Sequence, residues 1–502
     1  MNVSEFNDTN NCENYTDKEL EQQWKSIDWN QANSYINRLQ IRIVKAEKSK
    51  RSNLVKRLQY LITHSFYGKA LAIKRVTSNK GKKTPGVDGI VWLTPSKKMK
   101  ALYKLNANGY QASPLKRVYI KKYGKKEKRP LSIPTMKDRA MQALYLIALE
   151  PLAETNADVV SFGFRKYRSA HDAQRHIHNL LAKKVSPQWI IEGDIKSCFD
   201  KISHDWMLKN IPLEKSILNK FLKAKYLFNR KLFPTTEGAA QGGIISPTIA
   251  NMVLDGLEDA VAKNFWPSKK GRKESKATHR NGVNVVKYAD DFIITAYSET
   301  TAREIIKVVA DFLNERGLEL SPTKTKITTI QQGFDFLGWN FRKYSGKLIV
   351  KPSSKSAKKL VTTISQEINN SKGATQTQLI NRLNQILRGW TSYHQPVCAK
   401  ETFGRIDSVI WQMLYSWAKR RHRNKSRQWI INKYWGESGN RKWVFKDDNT
   451  VLIKACDTPI VRHIPLKLDK NPILDEDYFL LRKSKQQDLR RKAWKNTAVA
   501  QL

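Results

Sequence analysis

Three aspartates have the most chemistry open to them. Asp290 and Asp291 stand side by side in VVKYADDFIITA (285–296), an otherwise apolar run. Asp194 closes a second apolar run, WIIEGD (189–194), and Asp200 follows six residues on. An unpaired carboxylate buried in such a run is costly. Either the pair sits at a solvated turn, or a partner offsets its charge. If the two runs are neighbouring strands of one sheet, Asp194 and Asp290 converge. Clustered carboxylates in a basic protein suit a divalent metal. Mg²⁺ favours carboxylates plus substrate phosphate oxygens, and two such ions stabilise the attacking and leaving oxygens of phosphoryl transfer. Asp447-Asp448 in FKDDNT has the same letters but no partner strand bearing a third carboxylate, and reads as an ordinary turn.

The elements around these residues follow from pattern. VNVV and FIITA flank the pair at strand length, and a two-residue connection makes a tight hairpin whose geometry Asp tolerates. PLKRVYIKKYGKKEKRPLSIP (114–134) reads as two short strands joined by a basic hairpin, and KDRAMQALYLIALEPLAE as an apolar helix. AAQGGIISPTIANMVLDGLEDAV (239–261) is a glycine turn leading into a helix; residues 320–342 supply two further strands. Earlier, a helical pattern begins at Trp24, with Ile36, Leu39 and Ile43 on one face. After KPSSKSAKK (351–359) the pattern is helical again, with Leu379, Leu383, Ile386 and Leu387 sharing a face. FWPSKKGRKESKATHRNGV (265–283) is a basic loop. The densest basic stretch, AKRRHRNKSRQW (418–429), carries Lys419, Arg420, Arg421, Arg423, Lys425 and Arg427 among Trp411, Trp417, Trp429 and Trp435. The tryptophans read as core and the cations as nucleic-acid contacts.

Bulk composition agrees. Among 502 residues, 91 Lys and Arg face 45 acidic residues, a net charge of +46. Such an excess implies a polyanionic partner, nucleic acid before a membrane surface. No apolar run reaches the ~20 residues of a membrane-spanning helix. The start, MNVSEFNDTNNCENY, is neither a signal nor a transit peptide, and residues 1–20 read as a disordered leader. Cys12, Cys198, Cys398 and Cys456 are scattered without a C-x-x-C pair, which argues against zinc and for a reducing, cytoplasmic compartment. Cys198 reads as core.

At this point the motifs match a family. Tyr288-Ala289-Asp290-Asp291 resembles the Y-x-D-D box of reverse transcriptases. TPGVDGI, KRPLSIPTMKDRAMQ, SFGFRKYRSAHDA, DIKSCFDKISHDWM, QGGIISPTIANMVLD, YADDF, SPTKTKI and GFDFLGW occur in the order found in group II intron-encoded proteins. LRGWTSYHQ and residues 410–435 are similar to that family's maturase region. The resemblance covers about 24–480 and is nearest to the cyanobacterial-type branch that lacks the His-Asn-His endonuclease.

The resemblance implies an α+β right-hand fold of fingers and palm with an antiparallel sheet, a helical thumb, and a small DNA-binding segment. It implies two Mg²⁺ ions held by Asp194 and Asp290, with Asp291 completing the cluster and the backbone of Ile195 spanning one metal. Lys122 and Arg129 match the triphosphate contacts, with Lys121 an alternative to Lys122. Phe199 matches the aromatic gate against a ribose 2′-hydroxyl, or is plain core. Gln241 matches the residue beside the templating pair, Lys324 a downstream primer and template position, and Gly333 and Gly338 the primer-lining glycines. Two positions depart from the family: Ala240 stands where Pro is usual, and Ser132 where Gly is common. His463 lacks a ligand partner at metal spacing and reads as structural.

Domains are expected at 1–20 (leader), 21–100 (RNA-binding extension of the fingers), 101–345 (fingers and palm), 346–430 (thumb and maturase) and 431–502 (DNA-binding). The function implied is RNA-directed DNA polymerase and intron maturase. Its partners would be intron RNA, target DNA, an RNA template-primer and dNTPs, in a bacterial ribonucleoprotein or nucleoid setting. DNA endonuclease activity is not expected, so the primer would come from elsewhere, such as a nascent replication strand. Two alternatives stand beside this reading: a reverse transcriptase recruited to defence or repair, and a non-catalytic RNA-binding splicing factor.

Overall fold

The computed structural model describes residues 15–121, 128–266, 282–439 and 441–499, with side chains to 496. Lys122 and most of the 265–283 loop lie outside the described residues.

Helices Asp17–Lys25, Trp29–Lys48, Ser52–His64, Phe66–Ser78 and Pro95–Lys104 form an N-terminal layer. Thr16 and Glu19 make a capping box at the first helix. Residues 16–20 of the expected leader are thus structured, because that cap and the buried Leu20 and Trp24 anchor them. The layer wraps helix Met136–Asn156, which is buried on nearly all faces and so lacks a polar side. Arg139 on that helix donates to the carbonyls of Gly81 at 3.1 Å and Thr84 at 2.7 Å, clamping the glycine-punctuated loop.

One sheet joins β1 (Leu115–Lys121) and β2 (Lys128–Ile133), paired antiparallel. The sheet that matters most is built later. β3 (Trp189–Asp194) leads into a turn in which Ser197 has φ +49°, then a short helix, Cys198–Lys201. β4 (Tyr226–Phe228) and β5 (Lys231–Phe233) extend the first sheet, β4 lying parallel to β1. β6 (Asn284–Tyr288), β7 (Asp291–Ala296) and β8 (Lys326–Thr329) join β3 in the order β6-β7-β3-β8, all antiparallel.

β9 (Phe334–Phe336), β10 (Trp339–Tyr344) and β11 (Lys347–Pro352) form a third sheet. Three strands thus lie between 326 and 344 where two were expected; Gly333 and Gly338, both at φ +84°, supply the extra corners. Helices Ser354–Asn370, Gln376–His394, Lys400–Arg421 and Arg427–Tyr434 follow, and β12 (Trp435–Ser438), β13 (Arg441–Asp447) and β14 (Thr450–Val451) pack on the same core. Helix Glu476–Val499 ends the described chain.

The expected 345/346 division lies in the β10–β11 turn, and the expected 430/431 division lies inside helix Arg427–Tyr434, whose Ile430 and Ile431 share one core with Leu383 and Leu414. The helix expected across 239–261 is two, Ser246–Leu254 and Leu257–Phe265, broken where Gly256 takes φ +90°. Trp417 and Trp435 are buried and Trp411 half-buried, as read, but Trp429 is exposed beside His422. His463 is structural: its Nε2 lies 2.9 Å from Asp172, which Arg482 also grips, tying the C-terminal segment to helix Ala170–Leu181. Cys198 is core, and burial with the nearby aspartates pushes its thiol up to about 12.

Candidate active site

The hairpin tip differs in detail from the sequence expectation. Tyr288 pairs with Asp291, so the two turn residues are Ala289 and Asp290, while Asp291 opens β7. The left-handed backbone falls on Ala289, φ +56°, and not on an aspartate. Across the sheet, Gly193 pairs with Phe292 and Asp194 with Asp291. A Cβ on Gly193 would lie 2.1 Å from the Phe292 ring, so this glycine lets the ring cover β3 just behind the carboxylates.

β3 continues past Asp194. The Asp194 carbonyl accepts from Ser321 N at 2.8 Å, and Lys196 N donates to Glu319 at 2.9 Å. In this pattern Ile195, bridged to Leu320, turns its own N–H and C=O away from that strand, toward the hairpin side. The turn begun at Ser321 then carries Lys324 back over the site, where its Nζ lies 2.6 Å from Asp194 Oδ2.

The carboxylates feel one another. Asp291 stands at the exposed start of β7; the protein packed behind it, then the charges of Asp290 and Asp194, push its carboxyl up to about 6. Burial raises Asp290 as well, Asp194 adds to the shift, and Arg129 and Lys324 oppose it. A cation would relieve this mutual repulsion. Among the described residues, no three acidic, His or Cys side chains form a finished metal cage. The side-chain donors are all carboxylate oxygens, the ligand type that Mg²⁺ favours.

Arg129 is exposed on β2 opposite Ile120, and Lys121 pairs with Lys128 at the open end of that ladder. Phe199 is half-buried, its carbonyl accepting from Ala239 at 2.7 Å. Gln241 receives Ser132 N on its carbonyl at 2.7 Å, and a Cβ on Gly242 would meet Ser132 O at 2.5 Å, so this turn seats directly on β2. Gly338 lies beside Tyr393, whose hydroxyl donates to Leu337 O at 2.8 Å. The six cations between Lys419 and Arg427 are all exposed. Arg421 among them also stacks 4.4 Å from Trp417 and donates to Ala374 O at 2.8 Å. Of the second pair, Asp448 lies in the turn with Asn449, while Asp447 closes β13, where it pairs with Thr450 and is bonded by the Thr377 hydroxyl.

Two positioning groups escaped the sequence reading. Lys287 is 1% exposed, with Nζ 3.0 Å from Asp158, 2.9 Å from Asp255 and 2.6 Å from Leu254 O. Burial opposes its charge, but Asp255 and Asp158 outweigh that and hold its pKa above the ordinary lysine value. The signal was a lysine inside an apolar strand. Gly163 is the other: a Cβ there would lie 2.4 Å from Ala289 N. Phe162 N donates to Lys287 O at 2.9 Å and Asn251 donates to Gly163 O at 2.7 Å, so this segment presses on the turn that carries Asp290.

Family comparisons meet this geometry. The profile described as "Reverse transcriptase (RNA-dependent DNA polymerase)" matches residues 120–341, "N-terminal domain of reverse transcriptase" 24–105, and "Group II intron, maturase-specific domain" 357–435. Protein YkfC of Escherichia coli (strain K12) is 31% identical over 357 residues, covering 65% of this chain and 91% of that protein. The chain belongs to the group II intron reverse transcriptase and maturase family. Group II intron-encoded protein LtrA of Lactococcus lactis subsp. cremoris is 32% identical over 340 residues, 57% of this chain and 56% of LtrA. The match thus spans little more than half of that relative. An uncharacterized 91 kDa protein in the cob intron of Schizosaccharomyces pombe is 28% identical over 399 residues, 64% of this chain and 49% of that protein. The family's RNA-directed DNA polymerase domain contains all three aspartates, and its maturase domain runs from within helix Ser354–Asn370 to the end of helix Arg427–Tyr434. Among the described residues, no helix is long and apolar enough to cross a membrane.

Proposed function

We propose that this protein binds a group II intron RNA, assists its splicing, and copies RNA into DNA from a primer at a target by two-metal nucleotidyl transfer. One observation carries the reading: the β3–β7 register sets Asp194 opposite Asp291, next to Asp290 at the turn. Asp194 and Asp290 would hold the ions with the Ile195 backbone, and Asp291 would complete the cluster. Two Mg²⁺ ions bound there supply charge stabilisation to the attacking and leaving oxygens.

The chain's own residues do the rest. The N-terminal helices and the β1–β2 sheet act as fingers, the β6-β7-β3-β8 sheet as palm, and the helices after Ser354 as thumb and maturase surface. Arg129, with Lys121 or Lys122, orients the triphosphate. Phe199 stands against a ribose 2′-hydroxyl, and Gln241 beside the templating pair. Gly333 and Gly338 allow close approach of the primer. The exposed cations from Lys419 to Arg427 take phosphates, so binding weakens steeply with salt.

The test is a double variant, Asp290→Ala with Asp291→Ala, in primer extension on an RNA template. Losing several kcal/mol of charge stabilisation predicts a drop on the order of a thousandfold, with RNA affinity retained. Extension that survives in this variant overturns the active-site assignment. Phe199→Ala is expected to admit ribonucleotides; unchanged sugar discrimination returns Phe199 to the core.

A further inference from the structure

A cavity of about 750 Å³ opens between helix Ser52–His64, helix Met136–Asn156 and the segment around Asn210–Lys215. None of the three aspartates lines it. Its wall combines two features that suit one ligand chemistry. The first is a flat aromatic face. Tyr60 is 60% exposed and stacks on His64 with ring centroids 3.7 Å apart, at an interplanar angle of 21°. Tyr60 and His64 lie one helical turn apart, so the helix itself holds the stack in place.

The second feature is an excess of positive charge. Lys56, Lys209 and Lys215 line the same cavity. Two carboxylates line it as well, each held by neutral donors: Glu47 accepts from Asn156 at 2.8 Å, and Glu214 from Tyr145 Oη at 2.8 Å and Ser216 at 2.6 Å, so three ammonium groups stand against two carboxylates. Lys215 donates to Ile211 O at 2.9 Å, which fixes its ammonium at the rim. Burial, then the charge of Lys56, lowers its pKa, so the two ammonium groups repel each other. An anion between them would remove that repulsion.

An aromatic platform beside paired lysines takes a base and a phosphate together. We propose that this cavity receives one unpaired nucleotide of an RNA strand, its base against Tyr60 and its phosphate between Lys56 and Lys215. The inference rests on the RNA-binding function proposed above and adds a selectivity to it: an extruded nucleotide, as opposed to a continuous duplex.

The experiment uses the full chain and two RNA hairpins, identical except that one carries a single bulged nucleotide, with affinity read by fluorescence anisotropy. The bulged hairpin is expected to bind more tightly than the paired one. Tyr60→Ala weakens the bulged hairpin about tenfold, from the worth of one stacked base, and leaves the paired one unchanged. Tyr60→Phe keeps the preference, since it keeps the ring. Lys56→Glu with Lys215→Glu abolishes it, while primer extension on an unstructured template continues. A 4-thiouridine at the bulge crosslinks to the peptide containing Tyr60. Equal affinity for the two hairpins, a preference that survives Tyr60→Ala, or equal competition by an acidic peptide overturns the proposal. Failure to bind either hairpin overturns the underlying RNA-binding function instead, so the two failures are distinct.

Discussion

Lys324 and Asp194 are 130 residues apart in the chain, yet the lysine ammonium lies 2.6 Å from the aspartate's Oδ2. Lys324, expected to meet primer and template, thus occupies a carboxylate that is proposed to hold metal, and an incoming cation would compete with it. The pair is largely open to water, so its worth is about 0–1 kcal/mol. Lys324→Ala should therefore lower the Mg²⁺ concentration for half-maximal extension by up to about fivefold. A titration of extension rate against Mg²⁺ checks this; an unchanged midpoint means that the contact does not compete with metal.

Lys287 ties the hairpin that carries Asp290 to Asp158 and Asp255. Removing one partner of a buried ion cluster leaves uncompensated charge, at a cost of about 3–5 kcal/mol. Lys287→Met should lower stability by that order in chemical denaturation followed by tryptophan fluorescence. Adding Asp255→Asn should restore part of the loss, because it removes one orphaned carboxylate. No rescue would mean that the packing of the lysine stem, and not its charge, is what matters.

Gly163 gives the turn its room. In Gly163→Ala the new methyl lies 2.4 Å from Ala289 N, so the tip carrying Asp290 must shift. Displacement of a reacting geometry by about 1 Å costs up to about a hundredfold. The expected outcome is a fall in kcat of tenfold to a hundredfold with RNA affinity unchanged, measured by steady-state extension and by binding. Ala289→Gly, in contrast, relieves a left-handed alanine worth about 1 kcal/mol and should be tolerated.

Acid sensitivity should come partly from histidines. Burial lowers His176 to about 4; burial and the nearby His171 lower His394 to about 3. Both are neutral in the fold, whereas in the unfolded chain they protonate near the ordinary value of about 6.5. Their contribution is full above that value and is lost as pH falls toward 4. Thermal melts at pH 7.5 and pH 5 should show lower stability at the acid value, and His176→Phe should reduce the difference. A difference untouched by that substitution would place the acid-sensitive group elsewhere.

Much of this protein could be read along the chain. Apolar runs of strand length marked β3, β6 and β7, and the abrupt carboxylates at their ends marked the site, because an apolar run tolerates charge only where something compensates it. The ordered motifs named the family, and the surplus of lysine and arginine named the partner class. Local pattern also separated the two Asp-Asp pairs: Asp447-Asp448 has polar neighbours, Asp290-Asp291 apolar ones. Where the reading missed, the cause was long-range. Left-handed glycines split one expected helix and added a strand, and Trp429 lost its place in the core because its neighbours on helix Arg427–Tyr434 filled it. Only the tertiary structure could decide which carboxylate faces which, that Lys324 lies on Asp194, that Lys287 is sealed between Asp158 and Asp255, and that Gly163 touches the catalytic turn. These contacts join residues from 32 to 130 positions apart. Sequence periodicity carries the direction of a side chain from its own strand, but not the identity of what it meets.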